Sequence, residues 1–168
     1  MEIIARVLVE HGWACLRFNF RGVGMSSGMS TGGLCEVEDV EGAYRFLEER
    51  DDLRLEDLAV AGWSFGSWVG LRWAVNSGLC RRMALVSPPM VGFDFFDFTA
   101  AEDAVLPEDT IIISGSYDQF NDVAKLRELF SRLGAELRML EGADHFLFGY
   151  EEEIARIIAD HWRRDTLR

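Results

Sequence analysis

The sequence has few basic residues for its length. Lysine and arginine account for 17 of its 168 residues, against 29 aspartates and glutamates, and the formal net charge is −12 at pH 7. Proteins bind nucleic acid through basic side chains that displace counterions from the phosphates, so this charge argues against a nucleic-acid partner. The same charge disfavours anionic membrane surfaces and, more weakly, strongly anionic substrates. A small-molecule partner with little negative charge is favoured.

Long apolar runs, a secretion signal and paired cysteines are also missing. No apolar run approaches the roughly 20 residues of a membrane-spanning helix. Residues 1–11 have neither the basic start nor the small-residue cleavage site of a signal peptide. Cys15, Cys35 and Cys80 are odd in number and scattered, with neither CxxC nor metal-ligand spacing. These features predict a cytoplasmic protein with reduced cysteines, buried as small apolar side chains, and with no metal, cofactor or membrane partner.

Apolar residues recur with the periods of alternating strands and helices. A spacing of three to four predicts helices at residues 2–11, 36–49, 65–76, 121–133 and 150–163. Short apolar runs predict strands at residues 14–20, 58–62, 82–86, 110–114 and 136–141. This alternation predicts an α/β fold, with a mainly parallel sheet of about five strands and helices on both faces. The length predicts a single domain over residues 1–168.

A serine between two glycines marks the turn that follows the strand at 58–62. The stretch Gly62-Trp63-Ser64-Phe65-Gly66 leads from that strand into the next helix. A tight strand-to-helix turn strains the residue at its tip, and glycines two positions away on either side relieve the crowding. Such a turn presents the hydroxyl at the carboxyl edge of the sheet, beside the positive end of the helix. We therefore predict Ser64 as a nucleophile and the Phe65 N–H as an oxyanion donor, with a chance match as the alternative.

A nucleophilic serine needs a general base. The sequence has three histidines. His145 follows the strand at 136–141, at the sheet edge that also presents Ser64. His11 is expected at a helix end, where it interacts with the C-terminal dipole, and His161 at a solvent-facing or edge position of the last helix. His145 is the predicted base.

The base in turn needs an acid to orient it. Asp118 follows the strand at 110–114 and so lies at the same edge of the predicted sheet. Asp122 is a neighbouring alternative, whereas Asp144 is adjacent to His145 in sequence and is expected to point elsewhere. Asp118 is the predicted acid, and an ordinary turn before the following helix is its alternative role.

Residues 87–109 have no regular period and are predicted to form a wall or a small lid at the site. Phenylalanines alternate there with acidic residues, and we expect Phe93, Phe95 and Phe96 to line the substrate pocket. The alternation is also typical of a strand face. Trp63 is a further candidate for substrate contact, and packing beneath the turn is the alternative.

The glycine-rich stretch at residues 22–28 is predicted to be a loop at the mouth of the site. It does not match a phosphate-binding motif, because Ser27 stands where that motif needs its last glycine. We expect Arg21 to anchor this loop through backbone carbonyls.

In order along the chain, these stretches resemble a small bacterial serine-hydrolase family of the α/β-hydrolase superfamily. The resemblance is carried by RFNFRGVGMSSG at Arg17–Gly28, by GWSFGS around Ser64, and then by SPPMVGFDFF, SGSYDQF and GADHFLFG. It extends nearly from end to end. It implies the α/β-hydrolase fold with Ser64 as nucleophile, Asp118 as acid and His145 as base. The chain order Ser–Asp–His is the one expected of that fold.

The resemblance also implies a strand and an HPHP- or HG-type loop before the helix at 2–11. That loop would supply a second oxyanion donor, and without it we expect slow turnover. Three interpretations stay open: a shortened form of a longer protein, a minimal hydrolase with a rearranged sheet, or a weakly active relative that mainly binds. In a rearranged sheet the strand at 14–20 would lie directly beside that at 58–62, since buried backbone groups must be paired. A second chain, as in a homodimer, is the alternative cover.

These observations predict a serine hydrolase that cleaves a carboxylic ester or thioester through an acyl-enzyme on Ser64. The substrate is expected to carry an uncharged acyl group of modest size. A peptidase or lactonase with the same three residues is one alternative. A pseudo-hydrolase that serves as a binding or interaction module is the other.

Overall fold

A four-stranded parallel sheet forms the centre of the molecule. The computed structural model describes residues 1–163. The strands lie side by side in chain order and are β1 (Ala59–Trp63), β2 (Arg82–Val86), β3 (Asp109–Gly115) and β4 (Glu136–Leu140). Gly62 pairs with Leu85, and Leu85 pairs with Ile112, so the carboxyl ends of the strands form one common edge. The predicted α/β class with a parallel sheet is confirmed.

Helices cover both faces of this sheet, as predicted. They are α1 (Glu2–Glu10), α2 (Glu36–Glu48), α3 (Phe65–Ser77), α4 (Phe96–Thr99), α5 (Val123–Leu133) and α6 (Glu151–Arg163). Alternate residues of β2 and β3 face α1 and α6 on one side and α2, α3 and α5 on the other. Burying one Val, Leu or Ile side chain contributes about 1.5–3 kcal/mol, so the two-sided burial of these strands accounts for much of the stability. No helix within residues 1–163 has the length and apolarity needed to cross a membrane.

Local signals fix where the helices begin and end. Gly78 and Gly134 adopt left-handed conformations, with φ of 65° and 58°, and end α3 and α5. Asp122 is the N-cap of α5 and accepts hydrogen bonds from the N–H groups of Ala124 and Lys125. Because Asp122 caps the helix, Asp118 is left in the preceding loop.

The expected pairing of residues 14–20 with the β1 region is wrong in this structure. The segment is not part of the sheet, which has four strands rather than about five. A groove of about 470 Å³ lies between residues 14–17 and the side of β1 that carries Ala59 and Ala61. Paired strands lie about 4.8 Å apart. Because the groove separates the two backbones by more than this, they do not pair. Leu16 and Phe18 consequently stay 39% and 44% exposed.

The groove makes β1 an edge strand. Its residues are only half-buried apart from Gly62, whereas all of β2 is buried. Aromatic contacts hold both ends of the separate segment: Trp13 lies 5.3 Å from Trp162, and Phe20 lies 5.6 Å from Phe65, measured between ring centroids. These contacts attach the two ends of the segment to α6 and α3 and not to the sheet.

The three cysteines are unpaired. Cys80 is buried, Cys35 is half-buried and Cys15 is exposed on the extended segment. Burial raises the pKa of the Cys80 thiol to about 12. The expectation of buried cysteines is therefore right for Cys80 and wrong for Cys15.

Candidate functional site

Ser64 occupies the turn between β1 and α3 in a strained backbone conformation. Its φ is 51° and its ψ is −120°, values that side-chain-bearing residues rarely adopt. A Cβ atom at Gly62 would clash with the carbonyl of Gly66 and the Cα of Ser67, so position 62 requires glycine. At Gly66 the nearest atom, on Phe20, would be 4.0 Å away, so the predicted crowding applies to Gly62 and not to Gly66.

The turn is held from both sides. The Ser64 N–H donates to the Val86 carbonyl at 2.8 Å, which ties the turn to the end of β2. The Ser67 hydroxyl donates to the Ser64 carbonyl at 2.6 Å. These bonds fix the backbone, so the direction of the Ser64 hydroxyl is set by the fold.

His145 lies against the Ser64 hydroxyl. The distance from its Nε2 atom to Ser64 Oγ is 2.8 Å. The histidine comes from the loop after β4, where the Asp144 carboxylate accepts hydrogen bonds from the N–H groups of Phe146 and Leu147. Asp144 thus shapes the loop and points away from the His145 ring, as the sequence predicted.

Asp118 lies on the far side of the imidazole. Both of its carboxylate oxygens are 2.9 Å from His145 Nδ1, and Oδ1 also accepts a hydrogen bond from the Phe120 N–H at 2.8 Å. The Asp118 side chain is fully buried and that of His145 is 6% exposed, so little water competes for these bonds. The three residues predicted from separate loops form one continuous hydrogen-bonded chain.

Phe65 is the first residue of α3, so its N–H has no carbonyl four residues earlier within the helix to which it could donate. The helix N-terminus also carries partial positive charge. This N–H is therefore suited to a developing negative charge beside Ser64.

Met1 is the N-cap of α1, where its carbonyl accepts a hydrogen bond from the Ala5 N–H at 3.0 Å, and it lines the groove beside β1.

The predicted aromatic wall is only partly exposed. The Phe93 ring lies 5.8 Å from the ring of Phe65 and 5.3 Å from that of Trp68, so it packs beside the Ser64 turn. Phe95 is fully buried in the core, so the prediction that it lines the substrate pocket is wrong. Apolar burial outweighs exposure at this position because the neighbouring short helix α4 packs against α3.

The other two candidates for substrate contact have partners of their own. Phe96 is partly buried, and the guanidinium of Arg132 lies 5.7 Å from its ring. Trp63 is half-buried and packs against the core on the α1 and α6 side of the sheet. Trp63 therefore packs against the core, which was the alternative to substrate contact.

Carboxylates of α2 organise the glycine-rich loop. The Arg21 guanidinium binds Asp39 at 2.8 and 3.0 Å and Glu38 at 3.1 Å, rather than the backbone carbonyls that we expected. Glu36 is fully buried and accepts hydrogen bonds from Ser30, Thr31 and Gly33. Burial raises the pKa of Glu36, but these hydrogen bonds outweigh it and lower the pKa to about 2. Glu36 was not predicted from the sequence, although an acidic residue that starts a helix after a Ser/Thr/Gly-rich loop is a recognisable signal.

The two other histidines lie away from Ser64. His11 follows α1, and its Nδ1 is 2.7 Å from the Val7 carbonyl, in agreement with the predicted helix-end role. His161 is mostly buried between Asp109 Oδ1, at 2.6 Å, and Glu136 Oε2, at 3.1 Å. These carboxylates start β3 and β4, so His161 lies at the end of the sheet opposite to the Ser64 turn.

Comparisons with known proteins place this arrangement in context. An uncharacterized protein of Rickettsia prowazekii (strain Madrid E) is 28% identical over 163 residues, covering 93% of this chain and 67% of that protein. A serine hydrolase without a lid from Xanthomonas campestris has 26% identity and a TM-score of 0.82, over 97% of this chain and 72% of its own. A serine hydrolase homologue from Coxiella burnetii has 27% identity and a TM-score of 0.79, over 95% and 74%.

The sequence model of the alpha/beta hydrolase fold matches residues 1–109, which include β1, the Ser64 turn and α3. The solved relatives share the fold over nearly the whole chain. The protein therefore belongs to the alpha/beta hydrolase fold family.

Proposed function

We propose that this protein is a serine hydrolase that cleaves a carboxylic ester or thioester through an acyl-enzyme on Ser64. The observation that supports the proposal most strongly is the hydrogen-bonded chain from Ser64 Oγ through His145 to Asp118, with distances of 2.8 and 2.9 Å. Nucleophile, base and orienting acid within hydrogen-bond reach of one another are the arrangement that activates a serine.

Each residue has a defined role in the proposed reaction. His145 Nε2 takes the Ser64 proton as Oγ attacks the substrate carbonyl, and the Phe65 N–H stabilises the negative charge on the carbonyl oxygen. Asp118 holds the imidazole by Nδ1 and stabilises the imidazolium. His145 then protonates the leaving group, and it later activates the water that releases the acyl group from Ser64.

The charge of the chain favours an uncharged substrate. A net charge of −12 disfavours the approach of anionic molecules. The aromatic rings of Phe20, Phe65 and Phe93 form a row beside Ser64 that suits an apolar acyl group. The chemistry proposed here is carried by side-chain and backbone groups of this chain.

A binding role without turnover is the second candidate. The observation that favours it is the open groove beside β1, which leaves the strand that precedes Ser64 at the edge of the sheet. An edge strand presents unpaired backbone N–H and C=O groups, to which a binding partner can add.

Hydrolysis of p-nitrophenyl acetate separates the two candidates. We expect measurable turnover by the natural sequence and a loss of at least about 10³-fold in Ser64→Ala. The matched control is Ser131→Ala, because Ser131 is exposed on α5. Ser64-independent turnover would refute the proposal, and ligand binding without any turnover would favour the second candidate.

A further inference from the structure

Two exposed aromatic rings contact His145, and a third stacks on one of them. The Phe120 ring is 4.7 Å from the imidazole and the Phe146 ring is 5.6 Å away, both in edge-to-face geometry. Phe148 stacks on Phe146 at 5.7 Å with an interplanar angle of 16°. We call Phe120, Phe146 and Phe148 the histidine-side rings.

The histidine-side rings are exposed, although a neighbouring apolar side chain in the loop after β4 is buried. Phe120, Phe146 and Phe148 are 41%, 50% and 77% exposed, whereas Leu147, between the last two, is fully buried. Leu147 has a φ of 49°, and Asp144 accepts its N–H hydrogen bond at 3.2 Å. The loop is thus anchored with the leucine inward and the two phenylalanines outward. A cluster of exposed aromatic rings at a reactive group is typical of a ligand-binding surface.

A second row of rings begins at the residue that follows Ser64. Phe65 follows Ser64 in sequence and contacts Phe20, which contacts Phe18, with centroid distances of 5.6 and 5.4 Å. Phe18 is 44% exposed. Ser64 and His145 are therefore each accompanied by a group of aromatic rings.

The proposed reaction, on which this inference rests, assigns the two surfaces to different halves of the substrate. When the bond between the acyl carbon and the leaving oxygen breaks, a bond from that carbon to Ser64 Oγ has formed, and the leaving oxygen takes its proton from His145 Nε2. The leaving group must therefore lie beside His145. The carbonyl oxygen points to the Phe65 N–H, and the acyl group extends along the row formed by Phe65, Phe20 and Phe18.

We propose that the histidine-side rings bind the leaving alcohol, and that this alcohol is aromatic or bulky, apolar and uncharged. Aromatic rings gain affinity from stacked or edge-to-face contact beyond simple burial. The loop at residues 141–150 has two acidic residues and no lysine or arginine, so it gives no support to an anionic leaving group. A thioester of a phosphate-bearing thiol is disfavoured for the same reason.

Two acetates with alkyl alcohols of similar acidity test the inference. Phenethyl acetate and ethyl acetate share the acyl group, so the ratio of their kcat/KM values reports recognition of the alcohol. We expect a ratio of kcat/KM values of about ten or more. A tenfold ratio corresponds to about 1.4 kcal/mol of additional binding of the phenethyl group in the transition state. A phenethyl ester with a carboxylate on the ring should react more slowly than phenethyl acetate.

Variants assign the preference to particular rings. Phe146→Ala and Phe148→Ala should each lower the ratio about threefold to tenfold. Phe46 on α2 is 51% exposed, like Phe146, and Phe46→Ala is the matched control, which should leave the ratio unchanged.

Each outcome bears on a defined claim. Ser64-dependent turnover with a ratio near one would overturn the inference and leave the proposed function standing. A high ratio that survives both ring substitutions would overturn the assignment to these rings. No Ser64-dependent turnover of either ester, together with no labelling of Ser64 by a fluorophosphonate, would overturn the proposed function and this inference with it.

Discussion

Replacement of Asp118 by asparagine changes the hydrogen bonding of His145 with almost no change in shape. The Phe120 N–H donates to Asp118 Oδ1, which favours placing the amide oxygen of an asparagine at that position. The amide NH₂ then takes the place of Oδ2, at 2.9 Å from His145 Nδ1. Where this NH₂ donates to Nδ1, the ring carries its proton on Nε2, whereas the amide oxygen at the Oδ1 position, also 2.9 Å from Nδ1, accepts from the other tautomer. In either arrangement the negative charge that stabilises the imidazolium is lost. The tautomer with a proton on Nε2 cannot accept the proton of Ser64.

The expected loss in kcat for Asp118→Asn is roughly 10⁴-fold, as for a triad whose histidine is held in the wrong tautomer. That factor corresponds to about 5 kcal/mol of transition-state stabilisation. The assay is steady-state hydrolysis of p-nitrophenyl acetate, with thermal unfolding to verify the fold. Asp122→Asn is the matched control, because asparagine and aspartate are equally good N-caps. A loss below about tenfold in folded Asp118→Asn would refute the tautomer argument.

Three further predictions concern stability and local structure. The folded-state pKa of Glu36, about 2, lies below its ordinary value of 4.5, so its ionised form stabilises the fold above pH 4.5 and this contribution is lost towards pH 2. Glu36→Gln should lower the Tm at pH 7, and the Tm of this variant should fall less between pH 4.5 and pH 2 than the Tm of the natural sequence. Gly62→Ala should lower the Tm and the esterase rate through its clash with Gly66, whereas Gly66→Ala, which has room for a methyl group, should retain both. Hydrogen exchange should be fast for the amides of residues 14–20, which lie outside the sheet, and slow for those of β3; slow exchange in residues 14–20 would contradict the open groove.

Features with a strong local pattern could be predicted from the sequence. The runs around β2 and β3 are apolar on both faces and bounded by turns, and a buried parallel strand is the structure that such a run favours. The Ser64 turn carries its own signal, since glycine at position 62 is required by the close approach of the Gly66 carbonyl. The positions of Asp118 and His145 then follow from the topology, because loops after parallel strands meet at one edge.

Features that depend on distant neighbours could not be predicted in this way. Residues 14–20 have the pattern of a strand, but pairing requires a partner about 4.8 Å away, and the pattern carries no information about that distance. Phe95 and Phe93 look equivalent in the sequence, yet Phe95 is buried in the core and Phe93 packs beside the Ser64 turn. Arg21 binds carboxylates on α2 rather than backbone carbonyls. Its partner Asp39 lies 18 residues further along the chain, and local residue spacing does not indicate such an ion pair.

The most direct test of the account is to map the site of reaction with a fluorophosphonate, which modifies only activated serines. The protein is treated with the reagent, digested, and analysed by peptide mass spectrometry, in parallel with His145→Gln and with His11→Gln as the matched control. We expect an adduct on Ser64 in the natural sequence and in His11→Gln, and a strongly reduced yield in His145→Gln. An adduct on another serine, or equal labelling of Ser64 in His145→Gln, would contradict the claim that His145 activates Ser64.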